Sequence, residues 1–125
     1  MQLLNDFFHI EKSEMIEDSY VCSIQLNRNH LIYQAHFPNN PITPGACLLQ
    51  IMAECLEVII GKKLCVEKIK SVKFLSILSP IDVDRVTIHY NKLVQSESEC
   101  KAQIIIKSEE TQYVKVAISY VYGQS

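Results

Sequence analysis

Glycine is scarce in this chain, with three in 125 residues. No Gly-rich loop of the phosphate-binding kind is present. Metal-ligand spacing is missing too. The five cysteines, Cys22, Cys47, Cys55, Cys65 and Cys100, form no CxxC pair and no Cys/His cluster. Neither a cofactor nor a metal is expected on these grounds. An odd cysteine count predicts small buried hydrophobes in a reducing compartment rather than a disulfide framework. No apolar run reaches the roughly 18–20 residues of a membrane span. Residues 1–10, MQLLNDFFHI, lack a basic stretch and a cleavage site, so a cytoplasmic protein is expected. Excess positive charge is absent, the formal net charge being −2, which gives no reason to expect a nucleic-acid partner. Low-complexity linkers and internal repeats are absent as well. Residues 1–125 are therefore expected to form one domain, and a hydrophobic content of 48% is enough to build a core.

What charge there is lies unevenly. Residues 1–18 carry the acids Asp6, Glu11, Glu14, Glu17 and Asp18 against Lys12. Residues 62–73 carry Lys62, Lys63, Lys68, Lys70 and Lys73 against Glu67. Such a lysine run suits a solvated strand edge that deters aggregation, or a docking patch for an acidic partner.

Period-two alternation marks strands. Segments 7–17 and 19–27 come first, and in the second Tyr20, Cys22, Ile24 and Leu26 share one face. Segments 65–77, 84–94, 99–107 and 112–122 follow, the last rich in valine and tyrosine. Between the two groups the sequence predicts one long helix over 44–60. Thr43 is its expected N-cap, Pro44 its first residue, and Gly61 its stop. Apolar residues cover nearly the whole circumference of this helix, so it should be buried on almost every side. Gln50, Glu54 and Glu57 interrupt it along one stripe. A narrow solvent face suits Glu57, whereas a polar cavity or a subunit seam is as good a place for Gln50. One apolar helix and long strands predict an α+β architecture, a curled antiparallel sheet wrapped around the helix.

The stretch before the helix, QAHFPNNPITPGACLLQIMAE, concentrates three of the four prolines, Pro38, Pro41 and Pro44, in seven residues. A helix N-terminus offers free N–H groups and a favourable dipole to an oxygen that gains negative charge. Pro44 has no N–H to give, the Thr43 hydroxyl is expected on the Ala46 N–H, and Gly45 is left with an uncommitted donor. His36, held in the stiff turn, is the nearest base that can take and return a proton at neutral pH. Donor and base together suit proton abstraction beside the carbonyl of an acyl thioester. His9, His30 and His89 fall in strand or loop patterns without evident partners. Tyr113, Tyr120 and Tyr122 read as sheet packing.

The run HFPNNPITPG resembles the H-F-P-x-x-P-x-x-P-G segment of the hotdog-fold 3-hydroxyacyl-[acyl carrier protein] dehydratases of the FabZ/FabA type. His36, Phe37, Pro38, Pro41, Pro44 and Gly45 match each fixed position. Weaker likeness extends through NRNHLIYQAHF and through KFLSILSPID, with Lys73, Phe74, Pro80 and Asp82. The resemblance implies a hotdog fold, a catalytic His36, and a Gly45 N–H that holds the thioester carbonyl. It also implies substrate contacts at Phe37, Pro44 and Ala46, and a homodimer in which the helix of the other subunit supplies the acid. The acyl carrier protein is the implied partner, and the lysine run its implied dock. The chain departs from the pattern at Gln50, where these enzymes carry Glu or Asp, at Ala35, and at Ile81. A neutral amide holds a hydroxyl or a water but delivers no net proton. Three readings follow. His36 alone shuttles the proton while Gln50 orients the leaving hydroxyl. Alternatively Glu54, one turn on, acts as the acid through a water. Or the fold carries a thioesterase or a non-catalytic acyl-thioester binder. Short dehydratase-like proteins of aryl-polyene and flexirubin-type pigment pathways show similar departures, which favours an enzyme.

Overall fold

The structure is a computed structural model that describes residues 2–123. Six strands form one antiparallel sheet: β1 (Phe8–Ile16), β2 (Ser19–Leu26), β3 (Leu64–Phe74), β4 (Arg85–Gln95), β5 (Glu99–Ser108) and β6 (Thr111–Tyr122). Their order across the sheet is β1-β2-β4-β5-β6-β3. A short helix, α1 (Leu31–Ala35), precedes the proline turn, and the long helix α2 (Gly45–Ile60) follows it. Every strand expected from alternation is present, with ends displaced by a few residues at most. The largest displacement is at β3, which ends at Phe74; just beyond it the Leu75 and Ser76 N–H groups both reach the Tyr113 carbonyl, at 2.8 and 3.4 Å.

Alternation fixes which face is buried. Cys22, Ile24 and Leu26 on β2 point into the core, as do Val86, Ile88 and Tyr90 on β4. Ala102, Ile104 and Ile106 on β5 and Val114, Val116 and Ile118 on β6 continue that face. The register sets like against like: Ile24 faces Val86, Ile88 faces Ile106, and Ile104 faces Val116. A slip of one residue would turn the whole set to solvent. Cys47, Leu48, Ile51, Met52, Cys55 and Leu56 of α2 fill the space against this face. Each such side chain contributes on the order of 1.5–3 kcal/mol by leaving water. One polar tie crosses the core: the Tyr90 hydroxyl donates to the Met52 carbonyl at 2.6 Å. The architecture is the α+β hotdog that the sequence leads one to expect.

β3 needs a different device. Its apolar residues Val66, Ile69 and Val72 recur every third position, which a regular strand would scatter over both faces. Two irregularities in its pairing with β6, between Val66 and Lys68 and between Ile69 and Ser71, absorb the mismatch. Val66, Ile69 and Val72 then sit opposite Tyr120, Ile118 and Val116, residues of the inner face. Yet β3 lies at the edge of the sheet, and Val66 is 54% exposed and Phe74 57%.

Several expectations are corrected. α2 begins at Gly45 with Pro44 as N-cap, so Thr43 lies outside the helix. Gly61 does end α2, with φ of 71° and its N–H on the Glu57 carbonyl at 2.8 Å; only glycine adopts that conformation without strain. Glu57 is not merely solvated, since its Oε2 accepts the Leu64 N–H at 2.8 Å and ties the helix end to β3. Cys65 is exposed, while the other four cysteines are buried. His30 has partners: its Nδ1 accepts the Ile32 N–H and caps α1, and its Nε2 lies 3.0 Å from the Asp6 carboxylate. His89 has one as well, with Nε2 3.0 Å from the Thr87 hydroxyl. No helix among the described residues is long and apolar enough to cross a membrane.

Candidate active site

The turn is held from three sides. His36 closes α1 as its C-cap, with its N–H on the Ile32 carbonyl at 3.0 Å. Phe37 and Asn40 bond each other through their backbones at 3.0 and 3.3 Å, and the Ile42 N–H returns to the His36 carbonyl at 2.6 Å. Thr43 then anchors the far end. Its N–H donates to the Leu78 carbonyl at 2.8 Å, and its hydroxyl pairs with the Tyr33 hydroxyl at 2.8 Å. Both Thr43 and Tyr33 are buried. Burial holds the Tyr33 phenol far above its usual range, more than the Thr43 bond draws it back, so it serves here as a neutral hydrogen-bonding group. Tyr33 is the residue that the sequence reasoning overlooked; it sits inside the flank NRNHLIYQAHF, three residues before His36.

This anchoring changes the inventory of donors at the helix start. Because the Thr43 hydroxyl goes to Tyr33, it does not cover the Ala46 N–H as expected. Pro44 has no N–H, and its carbonyl takes the Cys47 and Leu48 N–H groups at 3.0 and 3.2 Å. Among the described residues no acceptor is found for the Gly45 or the Ala46 N–H. Two adjacent donors, rather than one, thus stand at the positive end of α2. A Cβ at Gly45 would lie 2.7 Å from Cζ of Phe74, so the exposed Phe74 ring would have to shift to admit a side chain there. That contact and the Thr43–Leu78 bond bring the KFLSILSPID flank against the turn.

His36, Phe37 and Ala46 are exposed and Pro44 is half-buried, so this end of the molecule is open. Gln50 and Glu54 lie elsewhere. They line a cleft of about 650 Å³ with Gln2, Leu4, Glu57, Val58, Gly61, Lys62, Lys63, Tyr122 and Gly123. Neither His36 nor Gly45 is among the described residues that line this cleft.

Glu54 is 5% exposed, not a member of a solvent stripe. Its two oxygens accept the Leu3 N–H at 2.9 and 2.8 Å, and Oε1 accepts the Leu4 N–H at 2.7 Å. Oε2 also accepts Nε2 of Gln50 at 2.8 Å. Each of these bonds is one that Glu54 accepts, which satisfies a buried carboxylate. Of the lysines, Lys62 and Lys63 rim the cleft, and the Lys62 ammonium lies 4.3 Å from the centre of the Tyr122 ring. Lys68, Lys70 and Lys73 are exposed along β3.

Comparisons with known proteins bear on this geometry. A curated relative, the 3-hydroxyacyl-[acyl-carrier-protein] dehydratase FabZ of Lactobacillus helveticus, is 28% identical over 96 residues. That match covers 70% of this chain and 65% of the relative, so it falls just short of two thirds of the relative's length. Among solved structures, the dehydratase heterocomplex ApeI:P from Xenorhabdus doucetiae aligns with a TM-score of 0.68 at 14% identity. The alignment covers 90% of this chain and 96% of that one. A hypothetical thioesterase with coenzyme A from Streptococcus pneumoniae aligns at 0.62 and 16% identity, over 93% of this chain and 85% of that one. At such identities the two structures speak for the fold alone. A family model, described as ApeI-like, ApeI dehydratase, matches residues 11–116, most of the chain and the whole of the proline turn. The chain belongs to the ApeI-like dehydratase family.

Proposed function

We propose that the protein removes water from 3-hydroxyacyl thioesters borne on an acyl carrier protein, giving the trans-2-enoyl thioester. The observation that carries this reading is the open helix start, with an exposed His36 held in a fixed turn beside the unclaimed Gly45 and Ala46 N–H groups. In the proposed reaction these donors hold the thioester carbonyl, whose oxygen gains charge as His36 takes a proton from C2. The electron pair of the broken C–H bond becomes the C2–C3 double bond. The C3–O bond breaks, and the imidazolium returns the proton to the departing oxygen, which leaves as water. Gln50 holds the hydroxyl during this exchange.

Gln50 lines the cleft and His36 does not, and the proposed site is completed by a second copy. The β3 edge, with Val66, Ile69 and Phe74 exposed beside unpaired strand groups, suits such pairing. An acidic carrier protein is proposed to meet Lys62, Lys63, Lys68, Lys70 and Lys73. Aryl- or polyene-bearing acyl groups are the proposed substrates.

A thioesterase is the second reading. It is favoured by one observation: Gln50 stands where an acid is needed for the simplest dehydration. Incubation of the protein with 3-hydroxyacyl carrier-protein thioesters, followed by intact mass, separates the two. Loss of one water is the expected result. Release of free acid supports the thioesterase, and an unchanged carrier species overturns both. Sedimentation of a well-behaved monomer at micromolar concentration would overturn the shared site.

A further inference from the structure

We infer that Tyr33 is a positioning residue: it draws the Thr43 hydroxyl away from the start of α2, so that two N–H groups rather than one are left for the thioester carbonyl. The inference rests on the proposed placement of that carbonyl at the helix start and goes beyond it.

A threonine just before a helix ordinarily commits its hydroxyl to the backbone, at a spacing of two or three residues. Thr43 stands two residues before Gly45 and three before Ala46. Its Oγ1 nevertheless lies 2.8 Å from the Tyr33 hydroxyl, and among the described residues neither N–H finds an acceptor. Capacity does not explain this, since a hydroxyl accepts two hydrogen bonds. Direction does. A β-branched side chain has few χ1 settings, and the one that meets Tyr33 is not one that bonds the helix start.

Tyr33, for its part, is fixed without help from Thr43. It is 2% exposed, and its ring stacks on Phe7 with centroids 4.9 Å apart at 25°. Its N–H donates to the His30 carbonyl at 3.0 Å. Packing therefore sets the Tyr33 hydroxyl, and the Thr43 hydroxyl follows it. Removing the phenol oxygen reverses the choice. In Tyr33→Phe the buried Thr43 hydroxyl has no partner beside the ring, and an unpaired buried hydroxyl is costly. Rotation about χ1 sets its methyl against the apolar ring and its oxygen on the helix start, where it accepts an N–H. The substrate carbonyl must then compete for that donor. In the double variant, Tyr33→Phe with Thr43→Val, there is no hydroxyl to rotate, and both donors are free again. The second substitution thus repairs the first. A Tyr33 that merely stiffened the turn predicts the opposite, a double variant no better than Tyr33→Phe.

The test uses the intact protein, with thermal melting as the check of fold. Three quantities are measured: solvent exchange of the Gly45 and Ala46 amides by NMR, kcat/KM for a 3-hydroxyoctanoyl carrier-protein thioester, and Kd for 3-hydroxyoctanoyl pantetheine amide. Tyr33→Phe is expected to slow exchange at one of the two amides by about fivefold or more. It should lower kcat/KM and weaken binding by a similar factor. The double variant is expected to return all three close to wild type, and Thr43→Val alone to leave exchange unchanged. Unaltered exchange in folded Tyr33→Phe, or a double variant that recovers nothing, overturns the inference. So does faster exchange of either amide in Thr43→Val, because the wild-type hydroxyl would then already cover the helix start. That last measurement decides the matter should Tyr33→Phe fail to fold. A wild type that dehydrates the thioester without any Tyr33-dependent exchange sinks this inference alone. The expected exchange and binding series in a protein that leaves thioesters intact sinks the dehydratase reading alone. A folded wild type with neither turnover nor binding sinks both.

Discussion

The proline turn and the stripe on α2 are fourteen residues apart at His36 and Gln50, and they treat their polar groups in opposite ways. In the turn the anchors are buried and bonded, whereas the groups suited to chemistry are left unclaimed. Thr43, Tyr33 and the Leu78 carbonyl use up one another's hydrogen bonds. That leaves His36 exposed and the Gly45 and Ala46 N–H groups without an acceptor among the described residues. On the helix the order is inverted. Glu54 has the chemistry of an acid but is buried and saturated by N–H donors. Polar groups that are spoken for confer orientation, and polar groups that are held but unclaimed are the ones a substrate can use.

The sharpest way to break this comparison is at His36. In the proposed mechanism His36→Ala removes the proton carrier, and turnover should fall by about 10²–10⁴, equivalent to roughly 3–5 kcal/mol in the barrier. Its side chain is exposed, so the loss of stability should stay within about 0.5 kcal/mol. Turnover in parallel with denaturant unfolding checks both halves. Near-normal turnover, or a large loss of stability, would show that the turn histidine is an anchor and not a reagent.

Thr43 should show the reverse pattern with a smaller effect. Thr43→Val keeps the shape but leaves the buried Tyr33 hydroxyl without its partner at 2.8 Å. The expected cost is about 1–3 kcal/mol of stability, seen as a lower denaturation midpoint at unchanged slope. Turnover should fall far less than with His36→Ala. If activity fell as far, the distinction between anchors and reagents within the turn would be lost.

How much of this was legible before the structure depended on the range of the interactions. Alternation on β2, β4, β5 and β6 is a local signal, and it placed those strands and their buried faces. The motif His36 to Gly45 was legible as well, because prolines restrict the backbone wherever they stand. The destination of the Thr43 hydroxyl was not. A threonine before Pro-Gly and a helix reads as a cap, and only the packing of α1 reveals Tyr33 as the competing partner. The burial of Glu54 was hidden for the same reason. A carboxylate on an apolar helix reads as solvent-facing or catalytic. Its actual partners, the N–H groups of Leu3 and Leu4, lie 51 and 50 residues away in the chain, and backbone donors leave no mark on the sequence. The three-residue spacing on β3 was visible, but its resolution by two irregularities depends on the pairing with β6.

The smallest effect concerns pH, and it guards the comparison against a false reading. His89 lies on β4 with its Nε2 against the Thr87 hydroxyl. Burial, and then the Lys107 charge, hold its imidazole below the usual histidine range. A depressed histidine pKa means that at acid pH the unfolded chain binds a proton that the folded chain does not. Stability therefore rises with pH across that window. It is fully present above the ordinary value of about 6.5 and is lost as the pH falls from there toward the lower folded value. His89 is only partly buried, so solvent screening keeps the contribution small. A drop in rate at mildly acid pH could thus arise from partial unfolding through His89 rather than from His36. His89→Gln separates the two, because it removes the titration and keeps a polar group near Thr87. Denaturant unfolding at about pH 7.5 and about pH 5.5 should show a smaller loss of stability in His89→Gln than in the wild type. Any fall in turnover that persists in the variant belongs to the turn. If the loss of stability is unchanged, His89 is not its source, and the pH response of the fold must be sought among the carboxylates instead.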